Sequence, residues 1–339
     1  MLSDVTSPEP VLSILDLAIV SQDETPADAF ANSVAVAQRA EQRGYNRIWY
    51  AEHHNMSSIA SSATSVLIAH VAAHTSTIRL GSGGVMLPNH SPLVIAEQFG
   101  TLAALHPGRI DLGLGRAPGT DQNTMHAMRI DMRASDRFPQ DVLELQGYLA
   151  GKSLVPGVEA VPGAGTNVPL YILGSSLFGA QLAAKLGLPY GFASHFAPGQ
   201  LLDAVALYRR DFEPSEQLAE PYVIAGVNVI ASESNEDAQR QFLAVKRRRV
   251  ARFLHAPRAL TDEEADDIIA SPQGQQIVHM AHYTAAGTRD LVKRYIDNFA
   301  EEAGVDELIT VHASLTIEER LRSVDLLADA YEAGQQRDW

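Results

Sequence analysis

Residues 48–56 read IWYAEHHNM, a glutamate and two adjacent histidines at the end of an apolar run. Histidine can ligate a metal or carry protons near neutral pH, because its ordinary pKa is about 6.5. If the run is a strand, neighbouring side chains point to opposite faces. His53 and His54 then cannot easily share one ion: one enters a site and the other packs outward. A mononuclear metal site also wants ligands from several strands. Only the scattered His90 and His195 could join, so no metal is expected. His70 and His74, in HVAAH, have the i, i+4 spacing of a helical zinc site, but valine stands where the metalloprotease pattern needs glutamate. An outer helix face accounts for that pair. Two readings of the 52–54 cluster stay open: a proton-transfer group, or a hydrogen-bonded histidine at a rim.

Three further stretches carry chemistry. Arg116 follows the glycines of LGLG (Gly113, Gly115) and projects with little crowding. Its guanidinium offers a fixed fork of donors matched to phosphate. In GSSLFGAQ (174–181), Ser175 and Ser176 precede a helix and can leave its first amide groups open, which makes a ready anion site. Together these point to a phosphate-bearing ligand, with ordinary helix capping as the alternative. In SGG (Ser82, Gly83, Gly84), paired glycines at a strand end mark a bulge or a close approach of ligand to backbone. A flat ring could lie there against the main chain.

The elements that position these residues alternate. SILDLAIV (13–20) reads as a strand and 26–45 as a helix ending at Gly44. Strand-helix pairs follow at NRIWYA, TIRLGSGG, GRIDLGLG, VPLYILG, PYGFAS, YVIAGVNVIA and DELITVH, with the seventh helix at 235–254 and the last at 316–334. Eight such units predict a parallel, closed (β/α)₈ TIM barrel over residues 1–339 as one domain. The rival doubly wound sheet needs a glycine fingerprint, and GLGRAPG (113–119) lacks its third glycine in place. Two stretches break the repeat, 151–168 and about 256–286, and read as insertions in the loops after strands 4 and 7. The second is a candidate gate over the site. Active sites of such barrels lie at the C-terminal strand ends. Those ends carry Glu52–His54, Ser82–Gly84, Arg116, Ser175–Ser176 and Ser194–His195.

Composition narrows the function classes. The 339 residues are 46% hydrophobic and 20% charged, as in a globular protein. With no cysteine, disulfides, thiolate metal sites and cysteine nucleophiles are excluded. A net charge of −15 argues against nucleic acid or an anionic membrane as partner. The basic run Lys246–Arg249 reads as a solvated helix face. No apolar run reaches the roughly 20 residues of a membrane helix, and the acidic N-terminus lacks the basic start of a secretory signal. The expected location is the cytoplasm.

The segments AEHHN, LGSGGVMLPNHSPLVIAEQFGTLAALHPGRIDLGLGR and LYILGSSLFGAQLAAKLGLPYGFAS resemble, in order and spacing, the hallmark segments of the bacterial luciferase-like flavin-dependent monooxygenases. The likeness covers nearly all of 11–335. It implies reduced FMN, or in some branches a deazaflavin, bound at the barrel mouth. By match to the family motifs, His53 would be the catalytic acid/base beside the flavin. Gly83–Gly84 would form a cis peptide under its ring. Arg116, Ser175, Ser176 and the amide of Gly179 would hold the phosphate. Glu52 and His195 are candidates on the substrate side, with Phe178 and Phe192 nearby. The resemblance further implies O₂ and a small organic substrate of the aldehyde, alkane or sulfonate kind, a separate NAD(P)H:flavin reductase, and a homodimer. Luciferase proper has a cysteine where Gly115 stands and tryptophans near Ser194 and His195, so light emission is not implied. The alternatives are deazaflavin hydride transfer and non-catalytic flavin binding; a sugar-phosphate isomerase lacks an obvious carboxylate base here.

Overall fold

The computed structural model describes residues 9–117, 120–131, 133–254 and 260–331. Nine strands pair in parallel: β1 (Val11–Asp16), β2 (Arg47–Tyr50), β3 (Arg79–Met86), β4 (Ile110–Gly115), β5 (Leu170–Gly174), β6 (Tyr190–Phe192), β7 (Val223–Ala231), β8 (Thr284–Gly287) and β9 (Glu307–His312). Order runs β6-β5-β4-β3-β2-β1-β9-β7, and β6 pairs with β7, so eight strands close a (β/α)₈ barrel as the alternation predicts. The ninth, β8, pairs only with the far end of β7, Asn228–Ala231.

The ring helices are α1 (Pro26–Gln42), α2 (Thr64–Ala72), α3 (Pro92–Leu105), α5 (Phe138–Leu149), α6 (Leu177–Leu186), α7 (Leu201–Asp211), α11 (Arg289–Ala303) and α12 (Ile317–Ala330); the short α4 (Gln122–Ala127) lies between β4 and α5. Their caps follow sequence rules. Thr25 and Asp28 form a capping box at α1, and Gly187 and Gly304 end α6 and α11 in the left-handed conformation.

The seventh ring position differs from the sequence expectation. α8 (Asn235–Phe253) buries only Ala238, Gln241 and Val250 along 19 residues. α11 buries Val292, Ile296, Phe299, Ala300 and Ala303, an i, i+4, i+7, i+8, i+11 stripe, and it is the helix packed against the barrel there. The insertion after β7 therefore begins with α8 and continues through α9 (Asp262–Ala270), α10 (Pro272–His279) and β8. Of the expected 256–286 gate, 256–259 lie outside the described residues; the rest is ordered as these elements. Segment 151–168 connects α5 to β5, so it lies at the end of the barrel opposite the strand exits. No helix among the described residues is long and apolar enough to cross a membrane.

Alternation along the strands makes two cores. Ile48, Tyr50, Leu112, Ile172 and Phe192 face the helices. Leu15, Trp49, Ala51, Tyr171, Ile224, Ile309 and Val311 fill the bore. Below them is a buried ionic plug: Arg47 meets Asp111 at 2.8 Å and Glu307 at 2.9 Å, Arg79 also pairs with Asp111, and Tyr222 donates to Glu307 at 2.8 Å. The bore is sealed at that end, and its open end is the C-terminal mouth.

Candidate active site

Continuing the alternation of β2 from Trp49 and Ala51 puts His53 on the bore side of the mouth. Its backbone N–H donates to Ser61 O at 3.1 Å, which fixes the turn out of the strand. Glu52 goes the other way and is buried. Its carboxylate meets His54 Nε2 and His90 Nε2, each at 2.9 Å, and accepts from the Met86 amide at 3.0 Å. Burial alone would raise the Glu52 pKa, but the hydrogen bonds from His54 and His90 outweigh it and hold the carboxyl at about 2. Glu52 is thus a clamp joining the exits of β2 and β3.

The β3 exit is built from glycine. The Gly83–Gly84 peptide is cis, and the register with β4 shifts between Ser82 and Val85. A Cβ on Gly83 would stand 2.6 Å from Leu15 Cδ1 and 3.0 Å from Trp49 Cβ, and one on Gly84 would meet Gly113 O at 2.7 Å. Only bare backbone fits at this place in the mouth. Ser82 is fully buried and donates to Gly113 O at 2.8 Å, so its hydroxyl ties β3 to β4.

β4 delivers Arg116 to the rim. Its guanidinium lies 4.1 Å from the centre of the Phe178 ring, in the first turn of α6. Arg116 is exposed and has no carboxylate partner among the described residues. Ser176 is the N-cap of α6, yet its side chain makes no capping bond, and no acidic residue occupies the first turn. Gly179 is buried against Tyr190, whose hydroxyl donates to Ser176 O at 3.1 Å and pins the helix start. Open amides and an unpaired guanidinium therefore meet at one point.

Across the mouth, the β6 exit carries His195. Its ring packs on Gly226, where a Cβ would meet Nδ1 at 2.3 Å, and Asn228 donates to its carbonyl at 2.7 Å. Nδ1 is buried with no hydrogen-bond partner. Burial foremost, then the charges of Arg249 and His53, bring the His195 pKa to about 3, so the ring is neutral at physiological pH. His53, His195 and Arg249 are thus close enough to interact electrostatically. Phe192, expected beside them, is buried on the outer face edge-on to Tyr190 and does not line the mouth. The sequence reading missed Asn228, though a polar residue inside YVIAGVNVIA was a signal, and it missed Arg249.

The chain matches a known family over almost its whole length: the model of luciferase-like monooxygenases covers residues 12–334. The chain belongs to the luciferase-like monooxygenase family. It is 47% identical over 327 residues to a luciferase-like monooxygenase of Escherichia coli, spanning 94% of this chain and 96% of that one. The N-acetyl-S-alkylcysteine monooxygenase of Bacillus subtilis is 33% identical, over 96% and 99% of the two chains. Among solved structures, apo-MsnO8 superposes with a TM-score of 0.86 at 34% identity, covering 97% of this chain and 99% of that one. The fold recurs at 15–16% identity in the oxygenating constituent of the 3,6-diketocamphane monooxygenase of Pseudomonas putida in complex with FMN (TM-score 0.70; 95% and 98% covered) and in an F420-dependent secondary alcohol dehydrogenase (0.69; 97% and 100%).

A flavin-type cofactor fits this luciferase-like mouth on its own geometry. Arg116 and the uncapped start of α6 bring together donors of the kind a phosphate would need. The glycine exit of β3 supplies bare backbone for a planar ring, and His53 stands on the same rim.

Proposed function

We propose that this protein is a flavin-dependent monooxygenase acting on a small organic substrate at the barrel mouth. The observation that carries the reading is the exposed Arg116, without an acidic partner among the described residues, stacked on Phe178 beside the uncapped start of α6. In this reading Arg116, Ser175, Ser176 and the Gly179 amide hold the phosphate of FMN, and Gly83–Gly84 with Ser82 form the backbone under its ring. When bound, the reduced flavin supplies two electrons, so that one atom of O₂ enters the substrate and the other leaves as water. A separate NAD(P)H-dependent reductase supplies the reduced cofactor, and the protein works as a cytoplasmic homodimer.

The chain's own part is positional and protic. The ionic plug and the bore core close the floor to water, and the mouth excludes it further when substrate fills it. His53 gives or takes a proton at its imidazole, a task worth about 10²–10⁴ in rate. His195, neutral at pH 7, can offer or accept a hydrogen bond but brings no charge. Glu52 keeps the β2 exit in place through His54 and His90.

The test is His53→Ala. It should bind FMN as the wild type does and lose at least a hundredfold in substrate-dependent oxygen uptake, within the range expected for a missing acid/base. Full turnover in the variant, with flavin bound, rules out the role given to His53. Titration of the apoprotein with FMN and with a deazaflavin decides between the two cofactors.

A further inference from the structure

The second half of α8 carries the cations Lys246, Arg247, Arg248, Arg249 and Arg252, and the structure separates their roles. Arg247 pairs with Asp262 and Asp266 of α9. Arg248 crosses to the β1 loop, donating to Val20 O and lying 3.4 Å from Ser21 Oγ. The run is therefore not simply a solvated face: two of its charges tie α8 to its surroundings.

Arg249 and Arg252 have no such use. Among the described residues no carboxylate pairs with either, and both guanidinium groups lie against the Phe253 ring, at 5.6 and 5.2 Å. Among the described residues the buried Nε of Arg249 finds no hydrogen-bond partner. Burial and the charge of Arg252 hold Arg249 at about 10, well below an ordinary guanidinium. Its charge is felt by His195, whose Nδ1 is also buried and unpartnered. A half-buried arginine with an unsatisfied nitrogen next to a like charge costs free energy unless something neutralises it. No described carboxylate is within ion-pairing distance of either guanidinium, so none among the described residues does so.

We infer that the mouth takes a substrate bearing an oxyanion, a carboxylate or a sulfonate, whose charged end is held by Arg249 and Arg252 on the β7 side while the reacting end lies between His195 and His53. The inference rests on the proposed oxygenation at the mouth and narrows its substrate class. The flavin phosphate has its own seat at Arg116 on the opposite, β4–β5 side, so the two anions do not compete. Guanidinium matches carboxylate and sulfonate geometry with paired, charge-assisted donors. The overall charge of −15 would repel such a ligand at long range, which makes a local pair of cations the more necessary.

The experiment uses full-length protein loaded with FMN, with loading first confirmed by flavin fluorescence. Hexanoate, hexanesulfonate and hexanamide are titrated by calorimetry into wild type, Arg249→Gln, Arg252→Gln and Arg249→Lys, each checked by thermal melting. The expected result is that at least one oxyanion binds wild type tenfold or more tightly than the amide. Arg249→Gln should remove that preference, Arg252→Gln should reduce it, and Arg249→Lys should keep most of it. The carboxylate and sulfonate arms show which oxyanion the seat prefers. Equal binding of oxyanion and amide, absence of oxyanion binding, or a preference that survives Arg249→Gln in a folded variant would overturn the inference. Failure to load FMN would instead count against the flavin reading; the same titrations on apoprotein then still decide the oxyanion seat.

Discussion

Replacing Arg116 by glutamine should separate FMN from riboflavin. The guanidinium is exposed, has no acidic partner among the described residues, and is held over Phe178 at 4.1 Å beside the open amides of α6. Removing it breaks no ion pair among the described residues, so the fold should be unaffected. The loss falls on the phosphate contact alone. A hydrogen bond to a charged group is worth about 1.5–3 kcal/mol, and each 1.4 kcal/mol is about tenfold in Kd, so FMN should bind roughly 10–100-fold more weakly. The α6 amides remain and keep part of the affinity. Riboflavin has the same ring and no phosphate, so its Kd should stay as in the wild type. Arg116→Lys keeps the charge without the planar fork and should fall between the two. Flavin fluorescence titration reads all of these, and added salt should weaken FMN more than riboflavin. An unchanged FMN Kd in Arg116→Gln, or an equal weakening of riboflavin and FMN, would refute a phosphate contact by Arg116.

Two predictions concern what holds the mouth in place. Glu52 has its carboxyl held at about 2 instead of its ordinary 4.5, so ionisation favours the folded state. That contribution, about 3 kcal/mol at ~1.4 kcal/mol per pKa unit, is complete above pH 4.5 and is lost as pH falls toward 2. Glu52→Gln should therefore melt at lower temperature than wild type at pH 7, and the gap should narrow on acidification from pH 5 to 3. A gap independent of pH would contradict the cause assigned to the shift. At the opposite end of the barrel, Arg47→Met leaves Asp111 and Glu307 buried with one partner fewer each, and denaturant unfolding should show a loss of about 3–5 kcal/mol. Flavin affinity in the folded variant should be unchanged, because the plug lies beneath the bore core; a large change in FMN Kd would mean that the plug shapes the mouth.

Most of the barrel was legible because its strands are short apolar runs closed by glycine or polar residues, and its ring helices carry stripes at helical spacing. β8 was not: TAAG is four residues long and buries two, too little pattern to separate from loop. α8 took the seventh ring position in the sequence reading because it follows β7 directly and is strongly helical, while α11, at Arg289–Ala303, begins 54 residues after α8 begins at Asn235. Strand-end positions marked the His53–His54 pair, Gly83, Gly84, Arg116 and the start of α6 as candidates, since chain direction places them at the mouth, and it was the family resemblance that chose His53 from the pair. Contacts between distant segments could not be read. Glu52 is adjacent in sequence to His53, but its partner His90 is 38 residues away. Phe192 sits one strand position away from facing the bore, and a single residue of register decides its side. Arg249 was hidden in a charge run whose members differ only in what the fold brings against them.

The most direct test of the account is rapid mixing of the protein, loaded with reduced FMN, with oxygenated buffer while the flavin spectrum is followed. Oxygenation at this mouth requires the bound reduced cofactor to react with O₂ inside the site, shielded from water. The expected trace shows an oxygen-dependent spectral change that persists well beyond the time free reduced FMN takes to reoxidise, and that decays faster when a substrate is present. Reoxidation at the rate of free FMN at every oxygen concentration, with or without added oxyanion, would contradict it.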